Sequence, residues 1–236
     1  MKTALKLAHL TVGRVKENVS LRHYVDEKPK YFFFKRLFDI AFSLVMVAGV
    51  LSWLIPILGL MILLDSKGGI FFIQRRVGKG GKIFRCLKFR TMVENDDANR
   101  VQAALDDKRI TRLGKFLRFT NLDEFPQFLN VLAGQMSVVG PRPHMITDCN
   151  QFSQVVAGYK FRNMVKPGIT GLSQVKGYRG PAKDFATIFR RFEFDAFYVR
   201  NASFGLDFRI IRQTGGQFVY SVLRRRMPIP APSIAE

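Results

Sequence analysis

One long apolar segment constrains this chain more than any other feature. The 25 residues at 40–64 contain no charged side chain, and a run of that length passes the usual threshold for membrane insertion. A buried core helix rarely runs so far without a polar face. As one straight helix the run would be about 37 Å long at ~1.5 Å per residue, enough to cross a bilayer with tilt. The sequence therefore predicts a membrane helix.

Pro56 and the basic flanks favour a helix that enters and leaves by the same membrane face. Pro56 removes a helical hydrogen bond and favours a kink, and residues 40–55 alone would measure only about 24 Å. A simple spanning helix has its excess of Lys and Arg on one side. Here both flanks are basic, with Arg22, Lys28, Lys30, Lys35 and Arg36 before the run and Lys67, Arg75, Arg76, Lys79, Lys82 and Arg85 after it. We expect a re-entrant helix broken near Pro56, with a single span as the alternative.

The charge balance predicts anionic partners. Lys and Arg total 38 against 18 Asp and Glu, a formal net charge of +20, which favours nucleic acid, anionic lipid or phosphorylated substrates. A basic surface that serves only solubility is the alternative. Cys86 and Cys149 have no paired spacing, so neither a disulfide framework nor a zinc site is predicted. Residues 1–34 lack the pattern of a secretory signal.

The remaining patterns predict an α+β fold that is mostly helical. Strand-like runs at residues 69–73 and 82–90 flank a glycine-rich turn, which indicates a small β-hairpin rather than a nucleotide-binding loop. KPGITG at residues 166–171 has the spacing of a tight turn, and residues 94–109 predict an exposed helix or mobile loop. Residues 185–226 are typical of amphipathic helices in a lipid headgroup layer. We expect about half of their aromatic side chains to be core, among Phe189, Phe192, Phe197, Phe204, Phe208 and Phe218.

These patterns divide the chain into four parts. We expect a basic interfacial lead-in at residues 1–34, a re-entrant membrane helix at 35–66, a cytosolic catalytic domain at 67–226 and a flexible tail at 227–236. The aromatic cluster that ends the lead-in is typical of side chains at headgroup depth.

Asp123 and Glu124 form an acidic pair in this basic chain, within RFTNLDEFPQFLNVLAGQMSVVGPRP at residues 118–143. Helix capping is the structural interpretation, with Asp123 as N-cap or Asn121 and Glu124 as a capping pair. A carboxylate at a helix N-terminus also stays ionised at neutral pH, which suits a nucleophile or a metal ligand. His144, just beyond, is predicted to be a surface histidine.

Four basic residues are expected near the pair: Arg118 upstream, Arg142 between two prolines, and Lys88 and Arg90 in KFRTM. Arginine binds phosphate oxygens in a bidentate fork. Two carboxylates among such cations hold Mg²⁺ when substrate phosphates complete its coordination. These are the parts of a phosphoryl-transfer site. The alternative from another class is a membrane-tethered binder of nucleic acid or another anionic polymer, without catalytic activity.

Several motifs, in order, resemble those of the bacterial sugar transferases, the monotopic polyprenyl-phosphate phosphoglycosyl transferases. They cover roughly residues 35–215 and read KRLFDIAFS, LDSKGGIFFIQRRVGKGGKIF, LKFRTM, DDKRITRLGKFLRFTNLDE, LDEFPQFLNVLAGQMSVVGPRP, VKPGITGLSQVKG and FEFDAFYVRNASFGLDFRIIRQT. Because the long multi-span N-terminal region of larger members is missing, we expect the small form of the family or a catalytic segment.

The resemblance implies transfer of a sugar-1-phosphate from a UDP-sugar to polyprenyl (undecaprenyl) phosphate, with release of UMP. It implies that Asp123 is the nucleophile of a covalent phosphosugar intermediate, that Glu124 is associated with Mg²⁺, and that Arg142 contacts the nucleotide. The basic residues expected near phosphates are Arg118, Lys88 and Arg90. A conventional glycosyltransferase that releases UDP is the alternative.

The resemblance also implies the bacterial inner membrane, with the catalytic domain on the cytoplasmic face, as the first membrane step of polysaccharide or glycoconjugate assembly. Expected partners are a UDP-sugar, polyprenyl phosphate and anionic lipids, with a second copy of the chain as a further candidate and no nucleic acid. The sugar stays open, as does the choice among capsule, exopolysaccharide, O-antigen and glycoprotein pathways. One departure is that Ile55 precedes Pro56, where the family often has Ser; Ser52 assists the break if its hydroxyl bonds to the helix backbone.

Overall fold

The computed structural model describes residues 23–94, 107–180 and 184–224, and it is mostly helical there. The predictions for the lead-in before residue 23, for residues 95–106 and for the tail after residue 224 lie outside the described residues. The α-helices are α1 His23–Asp26, α2 Pro29–Met46, α3 Ser52–Asp65, α4 Arg112–Thr120, α5 Gln127–Leu132, α6 Ile146–Val155, α7 Leu172–Val175, α8 Phe185–Asn201 and α9 Phe204–Arg224. The four-part division of the chain stays a prediction.

Two small sheets accompany the helices. Strands β1 Phe71–Val77 and β2 Ile83–Phe89 pair antiparallel, which confirms the predicted hairpin. Strands β3 Ser137–Val139 and β4 Gly168–Thr170 pair in parallel, so the tight turn predicted from KPGITG is wrong. The glycines serve close packing instead, since a Cβ at Gly168 would lie 2.1 Å from the backbone nitrogen of Gly140. Only glycine permits that approach.

Helices α2 and α3 form one continuous helix, Pro29–Asp65, through a π-helical turn at Val47–Leu51. Its 37 residues are long and apolar enough to cross a membrane by length and composition. The break predicted near Pro56 is misplaced, because the backbone stays helical through Pro56. Proline lacks an N–H, and its ring clashes with the carbonyl four residues earlier; here the irregular turn lies on that upstream side. The Ser52 hydroxyl donates to the Ala48 carbonyl at 2.6 Å, the expected back-bond.

The long helix has two contrasting sides. Leu51, Leu54, Leu58 and Ile62 belong to the main hydrophobic core. The opposite side exposes large apolar side chains, namely Leu37, Leu44, Val45, Trp53, Ile57, Leu60, Met61, Leu63 and Leu64. One side of this helix is therefore part of the domain, whereas the other has no protein cover among the described residues.

Helices α8 and α9 confirm the helical prediction for the C-terminal region. Fewer aromatic side chains are buried there than expected. Phe192 and Phe218 are half-buried, while the exposed members of the predicted set are Phe189, Phe197, Phe204 and Phe208. These helices therefore add further exposed aromatic surface.

A buried network around Asp207 of α9 fixes the position of α2. The Lys35 ammonium lies 2.7 Å from Asp207 Oδ2, and the Tyr31 hydroxyl donates to the same oxygen at 2.8 Å. Tyr198 of α8 donates to Asp207 Oδ1 at 2.8 Å. Three helices thus meet at one carboxylate, which is 3% exposed.

Helix α2 also contacts the elements that follow the acidic pair. Asp39 Oδ1 accepts a hydrogen bond from the backbone N–H of Val138 at 3.0 Å. The Arg36 guanidinium donates to the carbonyls of Val131 and Leu132 at 2.6 and 3.0 Å. These carbonyls are at the C-terminus of α5, where a cation matches the helix dipole. The start of the long helix is therefore joined to both α5 and β3.

We expect Asp207→Asn to lower the free energy of unfolding by about 3 kcal/mol, because it removes the carboxylate charge that lies 2.7 Å from the buried Lys35 ammonium. Denaturant unfolding of the purified chain in detergent measures this. Arg190→Gln is the matched control, since it breaks the exposed Arg190–Glu193 pair, and it should cost less than about 1 kcal/mol. Equal, small losses from both variants would contradict the importance of the buried pair.

Candidate active site

The acidic pair lies in a tight connection between two helices. A 3₁₀ turn, Leu122–Glu124, separates α4 from α5, and Asn121 enters it in the left-handed region with φ of 58°, which Asn tolerates better than most residues. Neither predicted cap forms: the Asn121 side chain makes no capping hydrogen bond, and α5 begins after Pro126, which offers none. The pair lies within the 3₁₀ turn rather than at the start of α5.

Glu124 is bound by two cations, and Asp123 is not. Lys88 Nζ lies 2.6 Å from Glu124 Oε1. The Arg142 guanidinium makes a bidentate contact, with Nη1 3.0 Å from Oε2 and Nη2 2.5 Å from Oε1. Asp123 Oδ2 is 4.0 Å from Lys88 Nζ. Two neighbouring carboxylates, each 8% exposed, therefore have different surroundings.

Asn130 of α5 positions the strand that carries Lys88. Its Oδ1 accepts the backbone N–H of Leu87 at 2.9 Å, and its Nδ2 donates to the carbonyl of Arg85 at 2.7 Å. A side-chain amide has both the donor and the acceptor that a free strand edge needs. This residue was not predicted; its signal is a polar side chain among the apolar residues of FLNVL, where it is 3% exposed.

Arg142 is positioned through the backbone of its own corner. Arg162 Nη2 donates to the Arg142 carbonyl at 2.6 Å, and Arg162 is held by a buried ion pair with Asp195 at 2.7 Å. Arg76 Nη1 donates to the carbonyl of Pro143 at 3.0 Å. The two prolines and these two arginines restrict the corner from which the Arg142 side chain reaches Glu124.

The electrostatics of the pair follow from burial and these contacts. Burial raises the pKa of Asp123 to about 6, and Glu124 adds to the rise, while Lys88, Arg118 and Arg142 oppose it. Burial would raise the pKa of Glu124 as well, but Arg142 and Lys88 outweigh it and hold that pKa well below the usual range. Glu124 in turn raises the pKa of Arg142. Asp123 is not at a helix N-terminus, so the expected helix-dipole effect does not apply to it. With a pKa of about 6 the carboxylate is largely ionised at pH 7.

The structure brings Lys88 and Arg142 onto the pair, and it places the other two predicted cations differently. Arg118 acts on the pair electrostatically, while its Nε donates to Thr91 Oγ1 at 3.0 Å. Arg90 is 6% exposed and donates to the carbonyls of Ile62 and Ser66 at 3.2 and 2.7 Å. Those carbonyls end α3, so Arg90 caps that helix. Its phosphate contact stays a prediction.

His144 is buried, so the prediction of a surface histidine is wrong. It is 6% exposed, its Nδ1 is hydrogen-bonded to the Tyr159 hydroxyl, and its ring lies edge-on to Phe152. Burial and the charge of Arg162 lower its pKa well below the usual range, so it is neutral at pH 7. Its neighbours Phe152 and Tyr159 come later in the sequence, so no pattern around residue 144 predicts that this histidine is buried.

The sequence of this chain matches a protein-family profile that includes the site. The profile described as bacterial sugar transferase matches residues 30–221, from the start of the long helix to the end of α9. The chain belongs to the bacterial sugar transferase family. The matched region includes the hairpin with Lys88, the acidic pair and the Arg142 corner.

Related bacterial sugar transferases carry the names of phosphosugar transferases. The UDP-glucose:undecaprenyl-phosphate glucose-1-phosphate transferase of Klebsiella pneumoniae is 46% identical over 180 residues, 75% of this chain and 38% of that protein. The UDP-N-acetylgalactosamine-undecaprenyl-phosphate N-acetylgalactosaminephosphotransferase of Aeromonas hydrophila is 38% identical over 224 residues, 88% of this chain and 52% of that protein. The exopolysaccharide production protein PSS of Rhizobium leguminosarum bv. phaseoli is 43% identical over 182 residues, 75% of this chain and 90% of that protein.

The matches differ in extent and in the sugar they name. The chain spans 38% of the length of the Klebsiella protein and 52% of the Aeromonas protein. The first name contains glucose and the second N-acetylgalactosamine. The names of the Klebsiella and Aeromonas proteins share undecaprenyl phosphate and a UDP-sugar.

Asp123 and Glu124 supply enough ligands for Mg²⁺ only when the phosphates of a substrate supply others. Within the described residues, no group of three or more His, Cys, Asp or Glu side chains is placed to hold a metal. Mg²⁺ needs only one or two protein carboxylates when phosphates and waters complete its octahedron. Asp123 and Glu124 meet that need if Glu124 exchanges one of its present cation contacts.

Proposed function

We propose that this bacterial sugar transferase moves a sugar-1-phosphate from a UDP-sugar to polyprenyl phosphate and releases UMP. The observation that carries the proposal is the difference between the two buried carboxylates. Glu124 is bound by Lys88 and Arg142 at 2.5–3.0 Å, whereas Asp123 is 4.0 Å from the nearest of them. Asp123 is therefore available as a nucleophile. The relatives' names supply the two substrate classes.

In the first step an Asp123 carboxylate oxygen attacks the phosphorus that bears the sugar. The bond between that phosphorus and the bridging oxygen of UMP breaks, and UMP leaves with the electron pair. The product is an acyl phosphate that joins Asp123 to the sugar phosphate. Lys88 and Arg118 act on the attacking side, where the phosphoryl oxygens gather charge in the transition state.

In the second step an oxygen of polyprenyl phosphate attacks the same phosphorus. The bond to Asp123 breaks, which restores the carboxylate and forms a polyprenyl diphosphate that carries the sugar. A covalent intermediate lets one water-soluble and one lipid substrate use the same site in turn. No proton transfer to the leaving group is required, because UMP leaves as a phosphate anion.

Asp123 and Glu124 would hold Mg²⁺ with the diphosphate of the donor. Such an ion neutralises charge on the phosphate oxygens. In this proposal Lys88 and Arg142 keep Glu124 ionised and oriented, and Arg142 contacts the nucleotide when the donor is bound. These roles use contacts that the acidic pair already makes.

We further place the chain at the bacterial inner membrane, with the catalytic domain on the cytoplasmic face and the long helix re-entrant. One domain holds both ends of that helix, which supports this topology over a span. Before α2, Lys28 Nζ donates to the carbonyl of Arg200 at 2.8 Å. At the other end, Arg90 Nη2 donates to the carbonyl of Ser66 at 2.7 Å. The exposed apolar side of the helix would face lipid.

Asp123→Asn should reduce release of UMP from a UDP-sugar by on the order of 10³-fold or more, because an amide cannot form the acyl phosphate. The assay is chromatographic identification of the released nucleotide with the full chain in lipid nanodiscs and Mg²⁺. Asp26→Asn, the same change at an exposed residue, is the matched control and should retain wild-type activity. Release of UDP, or a fully active Asp123→Asn enzyme, would contradict the mechanism.

The rate of UMP release should rise with pH through about 6 and level off above about 7. Asp123 attacks as the carboxylate, and its pKa is raised to about 6 by burial. Lys88→Met removes a charge that lowers this pKa, so the acid limb of the residual activity should move to higher pH. Lys82→Met, at an exposed position of the same hairpin, should leave the limb in place. An unmoved limb in Lys88→Met would exclude Asp123 as its origin.

The re-entrant topology predicts that both flanks of the helix react from the same side. Lys30→Cys and Lys67→Cys place thiols at exposed positions, while the native Cys86 and Cys149 are buried. A membrane-impermeant maleimide, applied to sealed vesicles of known orientation, should label both from the cytoplasmic side, like Lys176→Cys in the domain. Labelling of Lys30→Cys only from the opposite side would establish a span.

A further inference from the structure

Three arginines near the Arg142 corner have no assigned ligand. Arg76 comes from β1, Arg179 from the connection after α7, and Arg191 from α8. Arg76 donates to the carbonyl of Pro143 at 3.0 Å, and Arg191 donates to the carbonyl of Arg179 at 3.1 Å. We refer to Arg76, Arg179 and Arg191 as the arginine cluster. After burial, the positive charge of Arg142 is the next cause that lowers the pKa of all three arginines.

The hydrogen-bond partners of the arginine cluster are all neutral. Across the described parts of the chain, no carboxylate oxygen lies within 4.0 Å of its guanidinium nitrogens. Asp148 acts on Arg76 and Arg191 only from beyond that distance. The acceptors are the backbone carbonyls of Pro143, Gln174, Arg179 and Gly180 and the side-chain amides of Gln74 and Gln217.

Two buried polar atoms beside the cluster have no hydrogen-bond partner. Arg191 is 7% exposed, and its Nε–H has no acceptor. Gln174, whose carbonyl holds Arg179, has an unpartnered Oε1 and is 5% exposed. Unmade hydrogen bonds of buried groups are costly, most of all on a charged group. Burial, and after it the charge of Arg142, also lowers the pKa of each arginine in the cluster. An anion would give the Arg191 Nε–H an acceptor and would favour the charged form of each arginine. Gln174 Oε1, itself an acceptor, gains no partner from an anion.

The direction of phosphoryl transfer indicates which anion this is. The attacking and leaving oxygens lie roughly in line on opposite sides of the reacting phosphorus. Arg142 is the nucleotide contact of the proposed function, and Arg76 donates to the carbonyl of the next residue, Pro143, at 3.0 Å. The leaving phosphate therefore belongs beside Arg142, where guanidinium groups offer paired donors to phosphate oxygens.

We propose that the arginine cluster binds the nucleoside monophosphate end of the donor and stabilises it as it leaves. This inference rests on the proposed function. When the bond to the bridging oxygen breaks, the electron pair and the new negative charge go to the UMP phosphate. Arg179 is the member most directly placed to hold it, because Gln217 of α9 orients its guanidinium at 2.8 Å and Arg191 fixes its carbonyl at 3.1 Å.

Binding of UMP to the full chain in nanodiscs, measured by isothermal titration calorimetry, tests the proposal. Arg179→Gln should raise the Kd for UMP by roughly tenfold or more, the loss expected for a charge-assisted hydrogen bond. Gln217→Glu should also raise it, because it gives Arg179 a carboxylate that competes with the phosphate. Arg190→Gln removes the same charge from an exposed neighbour of Arg191 and should leave the Kd unchanged.

The outcomes separate this assignment from the proposed function. If the wild type releases UMP, yet both Arg179→Gln and Gln217→Glu bind UMP within twofold of the wild-type Kd, the cluster assignment is wrong and the function stands. If the wild type releases UDP, the proposed function itself fails. An unchanged Kd for UMP with a raised KM for polyprenyl phosphate in Arg179→Gln would assign the cluster to the lipid acceptor and overturn the proposal. Should Arg179→Gln not fold, Arg179→Lys and Gln217→Glu decide the question.

Discussion

Burial of a single carboxylate, Asp207, determines how the long apolar helix is attached to the domain. A buried charge is tolerated only when it is paired and hydrogen-bonded, and Asp207 satisfies this through Lys35 and Tyr31 of α2 and Tyr198 of α8. Tyr198 also donates to the carbonyl of Val139 at 3.1 Å, at the end of β3. The strand that leads to Arg142 is thereby joined to the same centre. The long apolar helix and the corner of the site share one support.

Two adjacent carboxylates acquire different chemistry because a 3₁₀ turn gives them different neighbours. Glu124 receives the strong contacts from Lys88 and Arg142 and keeps a low pKa. Asp123 is buried as deeply but has no contact closer than 4.0 Å to a cation, so its pKa rises to about 6. A carboxylate that is ionised at neutral pH and not held in an ion pair is the form a nucleophile needs. Glu124, by contrast, is suited to orient cations.

Local patterns predict the parts of this chain that depend on local physics. Periodicity and turn residues were enough for the apolar helix and the hairpin. Of the four basic residues expected near the acidic pair, Lys88 and Arg142 contact it. Two of the misses involve segments far apart in sequence. KPGITG resembles a turn, but its Gly168 is needed for contact with Gly140, and the burial of His144 depends on Tyr159 and Phe152. The irregular turn precedes Pro56 because proline disturbs the carbonyl four residues upstream.

The basic residues around the acidic pair come from several parts of the chain. Arg118 lies on α4, and its side chain donates a hydrogen bond to Thr91. The residue before Thr91 is Arg90, which caps the end of the long helix by donating to the Ser66 carbonyl. On the proposed mechanism the lipid phosphate attacks in line with the bond between Asp123 and phosphorus, from the side that UMP has left. The arginine cluster, which we propose holds the leaving UMP phosphate, is therefore also on the side of the incoming lipid phosphate.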